Sequence, residues 1–394
     1  MRNYNQYFSR HRTKCNFTLK AFSYTSNYLL WEYPINLIPT DYVNLLDQEL
    51  THTFIHDKSV KKFILGINKL TKSVLKHVEV DGIIDDFTRV QRSRKKEIYK
   101  IDDVPKDAII LTVATGSPLE VKRGLDQRGF KHFNYLAFYK YSDLELIDPP
   151  FMKDFKEDFS KNRAQYQKTF ELLADERSRE IFEKLINFKI SFDLDFMEGF
   201  TNDHEGQYFD KEIIPPIKKL RFVDGGGYVG DTATEVIKNY PDFQKIYLIE
   251  PIKQHLDIAK RELGHMKNID FLEYGLSDIK DTLEFNEEKS FSTIYGKGKL
   301  KIEVNSIDNI IKEPVDYIKL DIEGAEQDAI KGAKKTIQKY HPILAVCIYH
   351  KAEDWYKIPQ LVLDINPNYK LYLRHYMEGI FESVIYFIPK SPTI

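Results

Sequence analysis

The chain of 394 residues has almost no cysteine. Cys15 and Cys347 lie far apart, which excludes a disulfide framework and any cysteine-based metal site. It also lacks an apolar run of membrane-spanning length. No apolar stretch follows the basic N-terminal residues Arg2, Arg10, Arg12 and Lys14, so neither a span nor a signal peptide is expected. Charge of one sign is missing too. With 58 Lys and Arg against 60 Asp and Glu, the net charge is −2, and no general pull toward nucleic acid or an anionic membrane follows. These absences predict a cytoplasmic protein without a nucleic-acid partner. What is present, 42% hydrophobic and 30% charged residues, suits a soluble protein with sizeable cores and room for two domains. The 26 Phe and 25 Tyr would suit stacking on sugar rings, but an AT-rich gene would give the same count.

The most informative stretch is Arg221-Phe-Val-Asp-Gly-Gly-Gly-Tyr-Val-Gly-Asp-Thr232. A short apolar strand ends at Asp224. A glycine turn follows (Gly225, Gly226, Gly227, Gly230), and Asp231 and Thr232 open a helix that Thr232 caps, with Glu235 closing a capping box. Glycines let the backbone approach a bound molecule, and the helix start offers free N–H groups to it. Such a turn holds a nucleotide-like cofactor at the carboxyl ends of the strands of an α/β sheet. The glycine spacing, with Glu250 ending the next strand, also fits a dinucleotide. Asp224 argues against one, because a carboxylate there repels a pyrophosphate and suits a cation. S-adenosylmethionine carries a sulfonium and an ammonium, and Glu250 can accept from its ribose hydroxyls.

The pattern divides the chain into an extension (1–55), a small α/β domain (56–150), a helical connector (151–200) and a larger α/β domain (201–394). In the small domain, apolar runs at 62–66, 80–86, 108–114 and 134–139 read as strands and 68–77 and 118–128 as helices. Asp85 and Asp86 could meet a sugar, and the basic run from Arg89 to Lys96 a phosphate; solvated loops explain both better. In the connector, Phe155, Phe159, Tyr166, Phe170 and Leu173 share one helix face, and Asp175 caps a second helix. The larger domain reads strand 221–224, helix 233–240, strand 246–250, helix 253–263, strand 269–274, strand 315–321, helix 325–339 and strand 343–349. This alternation predicts a parallel sheet with helices on both faces. The final runs, 370–374 and 383–388 around Gly379, read as an antiparallel hairpin.

Tyr317-Ile-Lys-Leu-Asp321 places an acid at a strand's carboxyl end, with Glu323 and Glu326 close behind. These carboxylates call for something positive nearby, the donor sulfonium or a divalent metal. The next strand ends in His350, a candidate base or metal ligand. Asp321, Glu323 and His350 are therefore the expected catalytic residues. His350 would take a hydroxyl proton, and Asp321 would orient it or share a metal with it. Ser277 and Asp278 could meet an adenine edge, and Arg374, His375 and Tyr376 the acceptor.

Phe222-Val-Asp-Gly-Gly-Gly-Tyr-Val-Gly230, Tyr247-Leu-Ile-Glu-Pro251, Leu276-Ser-Asp278 and Tyr317-Ile-Lys-Leu-Asp-Ile-Glu-Gly-Ala-Glu326 resemble the FkbM-type S-adenosylmethionine methyltransferases over about residues 205–390. The resemblance implies a Rossmann-like sheet and O-methyl transfer, many relatives acting on sugar or polyketide-type hydroxyls. It implies that Asp224, Gly226, Gly230 and Glu250 hold the donor and Ser277 and Asp278 its adenine. Pairing with such an N-terminal half is similar to bacterial surface-polysaccharide proteins, so a glycan acceptor is the expectation. The rival readings are an NAD-dependent oxidoreductase on the same glycine turn and a non-catalytic module binding a glycan or nucleotide sugar.

Overall fold

In a computed structural model, residues 34–39, 41–88, 92–93, 96–286 and 299–390 are described. Most of the expected extension lies outside them, as does the basic run at 89–96 apart from 92–93 and 96. Residues 34–390 fall in one unit.

The first sheet belongs to the smaller α/β region. Its elements are α1 (Leu45–His56), β1 (Lys62–Leu65), α2 (Lys69–Val74), β2 (Gly82–Ile84), β3 (Arg92–Ser93), β4 (Lys96–Tyr99), β5 (Ile109–Thr112), α3 (Pro118–Arg128), β6 (Lys131–Asn134) and α4 (Tyr135–Tyr141). The strand order is β3-β4-β2-β1-β5-β6, parallel except for β3. Helix α1, expected in the extension, packs Leu50 and Phe54 into this core. The strand expected at 134–139 is instead helix α4. Its aromatic run gives no clean period, and Asn134 decides the matter by accepting from the Leu136 and Ala137 N–H groups as an N-cap.

Two connector helices follow, α5 (Phe155–Leu172) and α6 (Glu176–Ser191), the second capped by Asp175 as expected. The larger region then contains β7 (Arg221–Gly225), α7 (Asp231–Asn239), β8 (Lys245–Ile249), α8 (Lys253–Leu263), β9 (Ile269–Leu272), β10 (Gly275–Leu276), β11 (Asp281–Asn286), β12 (Lys299–Asn305) and α9 (Ile307–Ile310). It ends with β13 (Tyr317–Leu320), α10 (Glu326–Gly332), α11 (Lys334–Tyr340), β14 (Ile343–Cys347), α12 (Asp354–Ile365), β15 (Tyr369–His375) and β16 (Ser383–Pro389). Seven strands form the order β15-β16-β14-β13-β7-β8-β9. All are parallel except β16, which runs antiparallel to both neighbours and closes the predicted hairpin. The helix expected over 325–339 is broken at Ala333, and a small sheet β10-β12-β11 was not foreseen.

Each face of the seven-stranded sheet buries its own core. Val223, Ile318, Val346 and Phe387 pack with the connector's Phe155, Tyr166, Phe182 and Leu185 and with Trp355 of α12. Phe222, Tyr317 and Ala345 pack with α7 and α8 through Val236, Leu256 and Ala259. Among the described residues, no helix is long and apolar enough to cross a membrane.

Candidate functional site

Strand β7 ends in the glycine turn, and the turn lies against the end of its neighbour β13. A Cβ at Gly226 would sit 1.9 Å from the Asp321 carbonyl oxygen, and its φ is +77°. Only glycine meets both conditions. Gly230, at φ +90°, precedes the first residue of α7. Thr232 is therefore the second residue inside the helix, not its cap, and Glu235 pairs with Lys238 at 2.6 Å instead of closing a capping box.

A cavity of about 940 Å³ opens at the carboxyl ends of β7, β8 and β13. Of the residues singled out from sequence, Gly226, Asp231, Thr232, Glu250, Ser277, Asp321 and Glu323 line it. Asp224, Gly225, Gly230, Asp278 and His350 do not. Glu250 is held by two backbone donors, Tyr228 N–H at 3.1 Å and Ile252 N–H at 3.0 Å, with His255 Nδ1 at 3.5 Å. Ser277 turns its hydroxyl to Asp278 at 3.3 Å, while Asp278 itself is exposed.

Asp224 is fully buried. It sits opposite Lys319 in the parallel register of β7 and β13, and Lys319 Nζ donates to its Oδ1 at 3.1 Å and to the Gly226 carbonyl at 2.8 Å. Burial pushes the Asp224 carboxyl up to about 6 although Lys319 pulls it down. Burial alone would lower the Lys319 amine, but Asp224, Asp321 and Asp231 together keep it charged. The carboxylate expected to face a cation thus lies under the turn, and Lys319 takes its place on the cavity wall.

Asp321, just past the end of β13, also lines the cavity. Tyr208 donates to its Oδ2 and Tyr349 to its Oδ1, each at 3.1 Å. Glu382, from the β15–β16 turn, also lines the cavity and accepts from Gln207 Nε2. Oxygens of Asp321 and Glu382 lie with Cys347 Sγ within 4.8 Å of one another. Burial first, then the Asp321 charge, pushes Glu382 up to about 7. Tyr208, Gln207, Tyr349, Lys319 and Glu382 were not singled out from sequence. Only Lys319 had a signal there, as a lysine within an otherwise apolar strand.

His350 lies behind this wall with its side chain 1% exposed. Nδ1 is 3.0 Å from Glu326 Oε1, and Nε2 is 3.6 Å from Asp321 Oδ1. Burial alone would lower its pKa, but Glu326, Asp321 and Glu323 raise it to about 9. The surrounding carboxylates thus favour the protonated ring. Its two nitrogens address different carboxylates, which suits a ring bearing two N–H groups. One ligand atom each of Asp321, Glu326 and His350 lies within 4.8 Å of the others, so the three could share a divalent ion, as the sequence allows. Arg374, expected near the acceptor, is buried between Asp175 (2.8 Å) and Asp210 (3.0 Å). His375 is packed on Phe200 and bonded to Ser383. Asp85 accepts from the Phe87 and Thr88 N–H groups in a local turn, and Asp86 accepts from the Ile101 N–H at 2.9 Å.

Residues 224–375 match the methyltransferase FkbM domain family. The chain is similar in fold to methyltransferase FkbM from Methylobacillus flagellatus KT, with 21% identity and a TM-score of 0.71 over 88% of this chain and 94% of that one. That share exceeds what the residues after 223 could supply, so the likeness extends into the N-terminal half. An rRNA methylase from Streptococcus thermophilus (13% identity, 45% and 90% covered, TM-score 0.30) and Aeropyrum pernix fibrillarin with natively bound S-adenosyl-L-methionine (12%, 44% and 69%, 0.30) match weakly. No curated protein matches the chain.

Proposed function

We propose, from the FkbM-family methyltransferase domain at residues 224–375, that the chain transfers a methyl group from S-adenosylmethionine to a sugar hydroxyl of a surface glycan or its precursor. The observation that supports this best is the one cavity, which joins the glycine turn, Glu250 and Ser277 to Asp321 and Glu382. Gly226 lets the donor approach the backbone, Glu250 accepts from its ribose, and Ser277 meets its adenine. Bound S-adenosylmethionine would supply an electrophilic methyl on a cationic sulfur. Asp321, fixed by two tyrosines, sets the negative potential opposite that charge. Asp224 acts indirectly, by holding Lys319 and through it the turn.

A sugar hydroxyl is a poor nucleophile while protonated. Glu382 is the group suited to take its proton, being half ionised near neutrality and oriented by Gln207. The bound donor would supply the methyl to that oxygen, and Glu382 would keep the proton the hydroxyl gives up. His350 stands between Asp321 and Glu326 and holds them in place. The lining carries eight carboxylates against two lysines, and the lysines are bound to Asp224, Gly226 and Gly324. A donor of net charge +1 leaves that wall strongly negative, so a pyrophosphate-linked sugar, and likewise NAD, is repelled. A neutral or amino sugar is the favoured acceptor. The reading carries a cytoplasmic location, with Cys347 kept as a free thiol.

Calorimetry with S-adenosylhomocysteine and with NAD tests the donor. Micromolar binding of the first and none of the second is expected, and the reverse would overturn the reading. Mass spectrometry of glycans incubated with the enzyme and donor should then show a gain of one methylene per site. Donor affinity with no such gain across neutral and amino sugars would favour a binding module.

A further inference from the structure

In the first sheet the strand order reverses between β1 and β5, and a ligand of such a sheet sits outside the carboxyl ends of those strands. Here the chain's own groups fill that place. Asn68 spans it, donating from Nδ2 to the Val113 carbonyl at 2.9 Å while its Oδ1 accepts from Leu70 N–H (2.8 Å) and Thr71 N–H (3.2 Å). A Cβ at Gly66 would come within 2.9 Å of the Val113 side chain.

Helix α3 begins at the same edge. Ser117 precedes it but makes no cap; its hydroxyl instead accepts from Asn202 Nδ2 at 2.9 Å, which also donates to the Gly116 carbonyl at 3.0 Å. The free N–H at the third helical position, Glu120, donates to Glu378 Oε2 at 2.9 Å. Arg123 donates to Glu378 Oε1 at 2.8 Å. The Glu378 side chain is 5% exposed and arrives from the β15–β16 turn, 258 residues away from Glu120. Its own N–H donates to Asn202 Oδ1 at 3.0 Å. A carboxylate taking a helix-start N–H and a guanidinium is placed as a bound anion would be.

Both anchored segments run on into the cavity. Asn202 leads to Glu205, Gln207 and Tyr208, and Glu378 leads to Glu382. We propose that Glu378 is a built-in ligand of the N-terminal α/β region, and that the clasp it forms with Asn202 on helix α3 positions the acceptor wall of the cavity. The first sheet is then a frame for the second site and holds no nucleotide of its own. The proposal rests on the methyl-transfer reading only in naming that wall the acceptor's.

The test is amide hydrogen exchange on the full chain saturated with S-adenosylhomocysteine, comparing wild type, Glu378→Ala and Glu378→Gln. Loss of two charge-assisted bonds should speed exchange in 202–208 and 376–382 about tenfold or more in Glu378→Ala. Glu378→Gln, which keeps an acceptor oxygen, should fall between, and added formate should slow the alanine variant again. S-adenosylhomocysteine affinity should stay within about threefold. Unchanged exchange in those segments, acceleration that formate does not reverse, or one-to-one binding of UDP by the saturated wild type would overturn the proposal. Should Glu378→Ala fail to fold, Arg123→Met decides: faster exchange in the same segments supports the clasp, and wild-type exchange refutes it. A wild type that binds no S-adenosylhomocysteine would defeat the methyl-transfer reading alone.

Discussion

Replacing Lys319 by Met would leave Asp224 alone under the glycine turn. Lys319 and Asp224 are both buried, and Lys319 Nζ and Asp224 Oδ1 are 3.1 Å apart. Removing one partner of a buried pair costs about 3–5 kcal/mol. The unpaired acid escapes part of that by taking a proton. In the wild type its pKa is already about 6, above the ordinary carboxylate value. An acid whose folded pKa is raised contributes stability at low pH that is lost as pH climbs through the folded value. For the wild type this loss is complete near pH 6. Without Lys319 the folded pKa moves higher, so the loss continues. Between about pH 6 and pH 8 the variant should lose ~1.4 kcal/mol per pH unit relative to wild type, about 3 kcal/mol in all. Urea unfolding followed by fluorescence of the buried Trp355, at several pH values, reads the difference. Lys319 also pulls Glu382 down, so its loss moves that group in the single and the double variant alike, and the difference between those two isolates Asp224. The double variant Lys319→Met/Asp224→Asn should lose the part of the slope that Asp224 carries. A single variant that parallels wild type from pH 6 to 8, or a double variant as steep as the single, would refute the argument.

Gly226→Ala should cost at least about 2 kcal/mol of stability and abolish S-adenosylhomocysteine binding by calorimetry, since its Cβ would strike the Asp321 carbonyl. Glu250→Ala should weaken S-adenosylhomocysteine about 10- to 100-fold by calorimetry, the cost of losing hydrogen bonds to a charged acceptor, and should also lower stability by about 1–3 kcal/mol, since the Tyr228 and Ile252 N–H groups lose their acceptor. Glu382→Gln should lower methyl transfer by about 10²–10⁴ and flatten its pH profile. The wild-type rate should climb with pH and level off above about 7, because the base acts only when ionised.

The second sheet was legible because its buried strands are largely apolar runs, and β7, β8, β9 and β13 stop at a glycine or an acid. That same rule located Gly226, Glu250, Ser277 and Asp321, which stand at strand ends and share the cavity. It also named Asp224 and His350 as facing a ligand, which position along a strand does not decide. Asp224 faces Lys319 across the pleat, and His350 turns back to Glu326. Tyr208 and Gln207 come from the loop ahead of β7, and Glu382 from a hairpin turn. No period marks them, and only the folded chain brings them to Asp321. Helix α4 shows the limit on the other side: one capping side chain, Asn134, outweighed an aromatic run that reads as strand.

The helices α5 and α6 look like a spacer on the linear map, yet they are one leaf of the second sheet's sandwich. Leu173 bridges to Leu371, Ala174 N–H bonds the Leu371 carbonyl at 2.8 Å, and the Ser178 hydroxyl accepts from Leu373 N–H at 2.9 Å. A transplantable cassette therefore starts ahead of Phe155. Cutting at the family boundary near residue 224 would strip a flank of Phe, Tyr and Leu from the sheet and yield a sticky fragment in place of a smaller enzyme.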